Sequence, residues 1–321
     1  MKQLVILLFL LPALVCAGEL LRLEDSLDAM GSVYTVILYG EDQEKLQAAS
    51  EAAFQEVRRL DRMLSNYRPQ SEWSEMNRTA AERPFQASPE LFNLLAACLE
   101  YSRASEGAFD VSVGPLMRVW GFYKGAGRLP LKEEIAAVLP YVGYRGVQLD
   151  EKEHTVRFLK VGVDLDPGGI GKGYAVDRIV DILRRNNITS AMVSAGGSSI
   201  YALGAPPDEK GWRVKIRHPR EWSTTIEEVV LSGQSLSTSG DYEKFFAAGG
   251  RTYSHIMDPR TGYPSQGMLS VSVVAPRTLD SEAWTKPFFI LGREWAAKHK
   301  PRELRAFFCE DRSELSCAWL Q

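Results

Sequence analysis

Apolar residues recur at helical spacing through Leu46, Ala49, Ala53, Val57, Leu60 and Leu64, which predicts a long amphipathic helix over residues 42–64. Ser88-Pro89 offers an N-cap followed by proline at the first helical position. Leu91, Leu95, Cys98 and Leu99 continue the stripe, so a second helix is expected to stop before Gly107. Over residues 154–165 the period changes to two, with Val156 and Phe158, then Val161, Val163 and Leu165. That pattern reads as a strand with one irregularity. A glycine-rich loop follows, then a helix with Ala175, Ile179, Ile182 and Leu183 on one face. Ala191–Ser194 reads as a short strand ending at Gly196-Gly197. Residues 212–217, 227–231, 251–256 and 268–275 also read as strands, and 282–298 as a helix despite Pro287. Strands and helices mix without regular βαβ alternation, so the expected class is α+β. No repeat, low-complexity tract or linker divides residues 18–321, which are read as one domain.

Composition changes this picture mainly at the N-terminus. The chain has 321 residues, 45% hydrophobic and 25% charged, an ordinary globular balance. Its first seventeen residues differ: Lys2, the apolar run Leu4–Leu14, then Val15-Cys16-Ala17. The run is short for a bilayer span, and the small residues after it suit signal peptidase. Residues 1–17 therefore read as a signal peptide, and the chain as exported to the periplasm or another extracytoplasmic space. An acylated Cys16 is the lipoprotein alternative, disfavoured because Val15 stands where a small residue is expected. A lipid there would be the only link to a membrane. Removing Lys2 with the leader takes the net charge from −3 to −4, and no Lys/Arg run follows, so nucleic-acid binding is not expected. Cys98 falls in a helical stripe and reads as a small core residue. Cys309 and Cys317 flank the charged turn Glu310–Glu314 of an expected hairpin and are placed to face each other across it.

Several stretches combine polar chemistry with rigid turns. In Ser254–Gly262, S-H-I-M-D-P-R-T-G, Pro259 fixes its own φ and pushes Asp258 toward extended geometry. Gly262 permits a left-handed turn, so His255, Asp258 and Thr261 sit on a stiff scaffold. Asp166–Gly173, D-P-G-G-I-G-K-G, joins a strand to a helix. Its glycines let a phosphate approach the backbone N–H groups, and Lys172 adds charge. It is neither a P-loop, since Gly173 replaces the Ser/Thr, nor a dinucleotide fingerprint, since Tyr174 takes the third glycine's place. Leu236–Tyr242 is rich in hydroxyls, a composition that a capped turn also shows. Asp61–Pro69 leaves a helix and presents Tyr67 as a stacking surface for a planar ring. Ala108–Leu116 reads as a core strand plus turn. The four histidines are scattered, with no HExxH, CxxC or GxSxG.

Taken in order, these stretches resemble the ApbE family of flavin transferases (FAD:protein FMN transferases), from about Met30 to Gly292. The matching elements are Met30-Gly31-Ser32, Ser65-Asn66-Tyr67 with Ser71 and Asn77, Ala108-Phe109-Asp110, Asp166–Asp177, Gly196-Gly197, Thr238–Tyr242 and His255–Gly262. The resemblance implies a two-lobed, T-fold-related α+β architecture with mixed or antiparallel sheets and flanking helices, binding FAD between the lobes. It implies transfer of FMN from FAD, with Mg²⁺, onto a threonine hydroxyl of a partner protein, here a membrane or extracytoplasmic redox protein. AMP would be released. Carried over by motif, Met30, Tyr67, Ala108, Phe109, Asp110, Asp166, Lys172 and Ile256 would contact FAD, with Tyr67 stacking. His255 would lie beside the reacting phosphate.

The implied metal site departs from the family pattern. That pattern is D-A-x-A/S-T ahead of the last helix, with the carboxylate, the threonine and a carbonyl of the glycine-rich loop as ligands. Counting back from Leu291-Gly292, this chain reads Glu282-Ala283-Trp284-Thr285-Lys286. Gly169, Glu282 and Thr285 are then the candidate ligands, and Lys286 falls where the threonine belongs. A protonated lysine cannot ligate. Its ammonium either takes the cation's place or pairs with Glu282. Ser198 is a second departure, standing where Asp usually follows the double glycine. The alternatives are a non-catalytic FAD-binding carrier, and an Mg²⁺-dependent FAD pyrophosphatase with water as acceptor.

Overall fold

The computed structural model describes residues 20–321 except 126, 222, 312 and 313. The expected signal peptide and Cys16 lie outside the described residues. Eight strands pair in chain order into one sheet: β1 (Leu21–Ala29), β2 (Ser32–Gly40), β3 (Ser190–Ala195), β4 (Ser199–Leu203), β5 (Gln234–Gly240), β6 (Met268–Ala275), β7 (Arg305–Asp311) and β8 (Leu315–Trp319). Every neighbouring pair is antiparallel. The α+β class expected from the pattern holds. A two-residue turn at Met30-Gly31 joins β1 to β2, and both residues have positive φ.

Three helices cover one face of the sheet: α1 (Gln43–Leu64), α4 (Gly171–Arg185) and α5 (Thr278–His299); α2 (Glu72–Thr79) and α3 (Pro89–Ala104) lie in the segment between α1 and α4. The stripe foreseen for α1 buries Leu46, Ala49, Ala53, Val57, Leu60 and Leu64. It packs with Tyr34, Val36 and Leu38 of β2 and with Ala175, Ile179 and Leu183 of α4. Val176 and Val180 complete the buried face of α4, whereas Ile182 is only half-buried. The opposite face of the sheet is covered by the hairpin Trp212–Arg217/Thr225–Leu231, through Trp212, Val214, Ile216 and Leu231 against Leu236 and Phe307.

Two local expectations fail for identifiable reasons. Only Thr155–Phe158 of the 154–165 run is a strand. Beyond it the backbone is satisfied by side chains: Leu165 N–H donates to Asn77 Oδ1, and Leu165 O accepts from Trp73 Nε1 and Asn77 Nδ2. Ala108–Leu116 holds no strand either. Asp110 caps a single 3₁₀ turn at Val111–Val113, and Gly114-Pro115 opens a short helix with proline in its first turn. The last helix starts earlier than expected, at Thr278, and kinks at Gly292, where φ is 79° and ψ 178°.

Cys309 and Cys317 are direct cross-strand partners in β7 and β8 and form a disulfide. Closing so short a loop is worth about 2.5 kcal/mol in the chain-entropy model. Reduction, or Cys317→Ser, is expected to lower stability by that order in urea denaturation while leaving the sheet's register intact. No loss on reduction would show that strand pairing alone holds the hairpin.

Candidate functional site

The site is built where the N-terminus of α4 meets α5. Asp177, in the second turn of α4, receives the first N–H groups of α5: Thr278 N–H to Oδ1 at 2.7 Å and Leu279 N–H to Oδ2 at 2.9 Å. No side chain of its own caps α5, so this carboxylate serves that purpose from a neighbouring helix. One turn earlier, Gly173 N–H donates to Glu282 Oε2. A Cβ at Gly173 would lie 2.6 Å from Thr278 O and 2.8 Å from Glu282 Oε2. Glycine is therefore required by close approach. β5 adds a second attachment: Ser237 Oγ lies 2.7 Å from Ser281 Oγ, and Ser239 donates to Thr285 Oγ1 at 2.7 Å. The hydroxyl-rich stretch that also reads as a capped turn is thus a strand, and its alternate serines bind a helix.

Around this junction lie most of the residues expected at the site. Asp166 is buried, with its carboxylate accepting from Gly168 N–H and from the Tyr123 hydroxyl. Burial raises its pKa, and these donors together with the charge of Lys244 oppose the rise. Tyr67 is 74% exposed and meets Tyr123 edge-to-face, with centroids 6.1 Å apart, leaving a ring surface open to stacking. Met30 has φ of 51°, its N–H donates to Asp61 Oδ1 at 3.2 Å, and its Sδ accepts from the Tyr34 hydroxyl. Its methyl faces Gly171 at the start of α4.

Lys172 donates to Ser198 Oγ. Lys286, with about a fifth of its side chain exposed, donates to Glu282 O at 2.9 Å, and its Nζ stands 3.9 Å from Glu282 Oε1. Its Cε also borders Gly169. Burial lowers the Lys286 pKa to about 8, with Glu282 opposing and Lys172 assisting. Thr285 is fully buried. Its hydroxyl donates to Glu282 O at 2.7 Å and accepts from Ser239.

His255 sits on the turn that Pro259 and Gly262 were expected to stiffen. Asp258 accepts from the Arg260 backbone and guanidinium, Gly262 N–H closes onto Asp258 O, and Trp120 Nε1 donates to Gly262 O. Gly262 has φ of 78°, and a Cβ there would lie 2.7 Å from Ile135. His255 Nδ1 lies 3.2 Å from Lys244 O, a contact that makes Nδ1 the donor and leaves the lone pair on Nε2. Burial lowers the His255 pKa to about 4, and the charges of Lys244, Lys172 and Lys286 add to the effect. Ile256 is buried beside it.

Ala108, Phe109 and Asp110 are buried, and Asp110 is engaged internally, accepting from Ser112 N–H and Oγ and from Tyr144 N–H. It borders a cavity of about 430 Å³ lined by Tyr141, Tyr144, Arg145, Pro259 and Arg260, with Asp166, Lys172, His255 and Lys286 outside its lining. Sequence reasoning missed Tyr123 and Lys244, which carry no motif signal, and the capping role of Asp177.

Gly173→Ala is expected to destabilise the fold by about 1–3 kcal/mol through overpacking against Thr278 and Glu282, measured by denaturant unfolding. An unchanged midpoint would contradict the close approach. For His255, the folded value lies below the unfolded one. Its contribution to stability is therefore complete above pH about 6.5 and is lost as pH falls toward about 4. Over that range the wild type should lose more stability than His255→Gln, in urea titrations at each pH.

The ApbE family profile matches residues 30–308. An FAD:protein FMN transferase of Klebsiella pneumoniae is 32% identical over 283 residues, covering 87% of this chain and 86% of that protein. The apo crystal structure of the Pseudomonas stutzeri flavinyl transferase ApbE superposes with a TM-score of 0.84 at 29% identity, covering 95% and 96% of the two chains. The ApbE protein of Thermotoga maritima gives a TM-score of 0.84 at 28% identity, over 94% and 96%.

Proposed function

We propose that this chain, which belongs to the ApbE family, is an exported FAD:protein FMN transferase that flavinylates a threonine of an extracytoplasmic redox protein. The threonine oxygen attacks the FMN phosphorus of FAD. The bond from that phosphorus to the bridging oxygen breaks, and AMP leaves with that oxygen. Neutral His255, whose Nε2 carries the lone pair, accepts the hydroxyl proton. One observation carries the reading: Lys172 stands in the first turn of α4 and the Lys286 stem borders Gly169 of the glycine-rich loop, so positive charge and backbone N–H groups that suit a pyrophosphate meet at the start of that helix. Tyr67 offers the exposed ring for the flavin nucleotide. The Cys309–Cys317 disulfide supports export, because such bonds persist in oxidising compartments.

The Mg²⁺ implied by the resemblance fits this donor set poorly. Mg²⁺ asks for six oxygens in near-octahedral array. Here Glu282 Oε2 already holds Gly173 N–H, the Thr285 hydroxyl is engaged on both sides, and the Lys286 ammonium borders the remaining carboxylate oxygen. No step is assigned to a metal. The same departure motivates the carrier reading, in which FAD is bound without transfer.

Incubation with FAD and a threonine-bearing acceptor domain, followed by intact-mass analysis, should give an acceptor heavier by one FMN less water, together with free AMP. His255→Ala should slow adduct formation by about 10²–10⁴-fold while FAD still binds. FAD bound intact with no adduct on any acceptor would favour the carrier. FMN and AMP with no adduct would identify water as the acceptor.

A further inference from the structure

We propose that the Lys286 ammonium is a built-in cation for the pyrophosphate of FAD, so that this chain binds the nucleotide without a divalent metal. The inference rests on the flavin reading above. Lys286 is held for the purpose. Its Nζ donates to Glu282 O, one helical turn back, and stands 3.9 Å from Glu282 Oε1, while its stem lies along Gly169 of the glycine-rich loop. Those are two of the three groups that the resemblance assigns to the metal. The third candidate, Thr285, is closed off by Ser239 and Glu282 O. An ammonium in that space repels a second cation and offers no lone pair to it.

The charge balance points the same way. The Ser198 hydroxyl is the group that Lys172 donates to. A carboxylate there would neutralise Lys172. A hydroxyl leaves its charge available to an anion at the N-terminus of α4. The charges of Lys172, Lys244 and Lys286 all act on His255, and Glu282 and Glu243 offset part of the charge of Lys286.

The test is FAD binding, followed by flavin fluorescence, with the mature chain in EDTA and in Mg²⁺. Wild type should bind equally well in both, within about twofold. Lys286→Met should bind at least about tenfold more weakly in EDTA, the order expected for losing one charge-assisted hydrogen bond. Lys286→Thr should bind weakly in EDTA and recover in Mg²⁺. Ser198→Asp, which lies outside α5, should weaken binding several-fold, and circular dichroism melts would establish that each variant is folded. Mg²⁺-dependent binding by wild type, or wild-type affinity in folded Lys286→Met or Ser198→Asp, would overturn the proposal while leaving the flavin reading standing. Folded wild type that binds no FAD in either condition would overturn both.

Discussion

The site depends on the clasp between α4 and α5. Two helices that lie nearly a hundred residues apart in sequence are joined by a carboxylate, Asp177, that caps one helix from the body of the other. The backbone bond from Gly173 to Glu282 sets their spacing. An unsatisfied helix terminus in a buried setting costs free energy, so the cap fixes orientation as well as stability. Three of the site's charges take their positions from this junction. Lys172 projects from the first turn of α4, and Glu282 and Lys286 project from successive turns of α5. The serines of β5 hold the same face of α5 to the sheet.

From this junction follows a division of labour among the charges. Carboxylates at Asp177 and Glu282 are turned to backbone N–H groups and serve structure. The ammonium groups of Lys172 and Lys286 make hydrogen bonds only to a hydroxyl and a carbonyl. The hydrogen bonds go to neutral acceptors, and the Glu282 carboxylate that offsets part of the Lys286 charge stands 3.9 Å from its Nζ, so both ammonium groups can still meet an anion. His255 shares the environment, and burial, helped by the same cations that would draw in a pyrophosphate, keeps its ring neutral. A neutral imidazole keeps a lone pair for a proton, and an arriving anion would offset the cations that hold its pKa down, whereas a protonated one would be held as another cation.

Much of this was legible in the sequence because the constraints are local. Pro259 and Gly262 declare a stiff turn, and the α1 stripe reads directly as core. The departure at Lys286 was visible by counting along one helix. Other features depend on tertiary partners and leave no periodic trace. Leu165 looks like the end of a strand because its apolar spacing says so, yet its backbone is satisfied by Asn77 and Trp73 from α2. The β5 strand alternates hydroxyls where a strand usually alternates apolar groups, since what it meets on α5 is itself polar. Tyr123 and Lys244 reach the site from segments whose sequences resemble ordinary surface.

A crystal structure of the chain grown with FAD and Mn²⁺, with anomalous data collected for manganese, bears most directly on how this site holds its ligand. If Lys286 supplies the cation, its Nζ will lie within hydrogen-bond distance of a pyrophosphate oxygen, with no anomalous peak between Gly169 and Glu282. A manganese peak there, with Lys286 swung away from Glu282, would contradict that arrangement and return the site to metal-dependent binding.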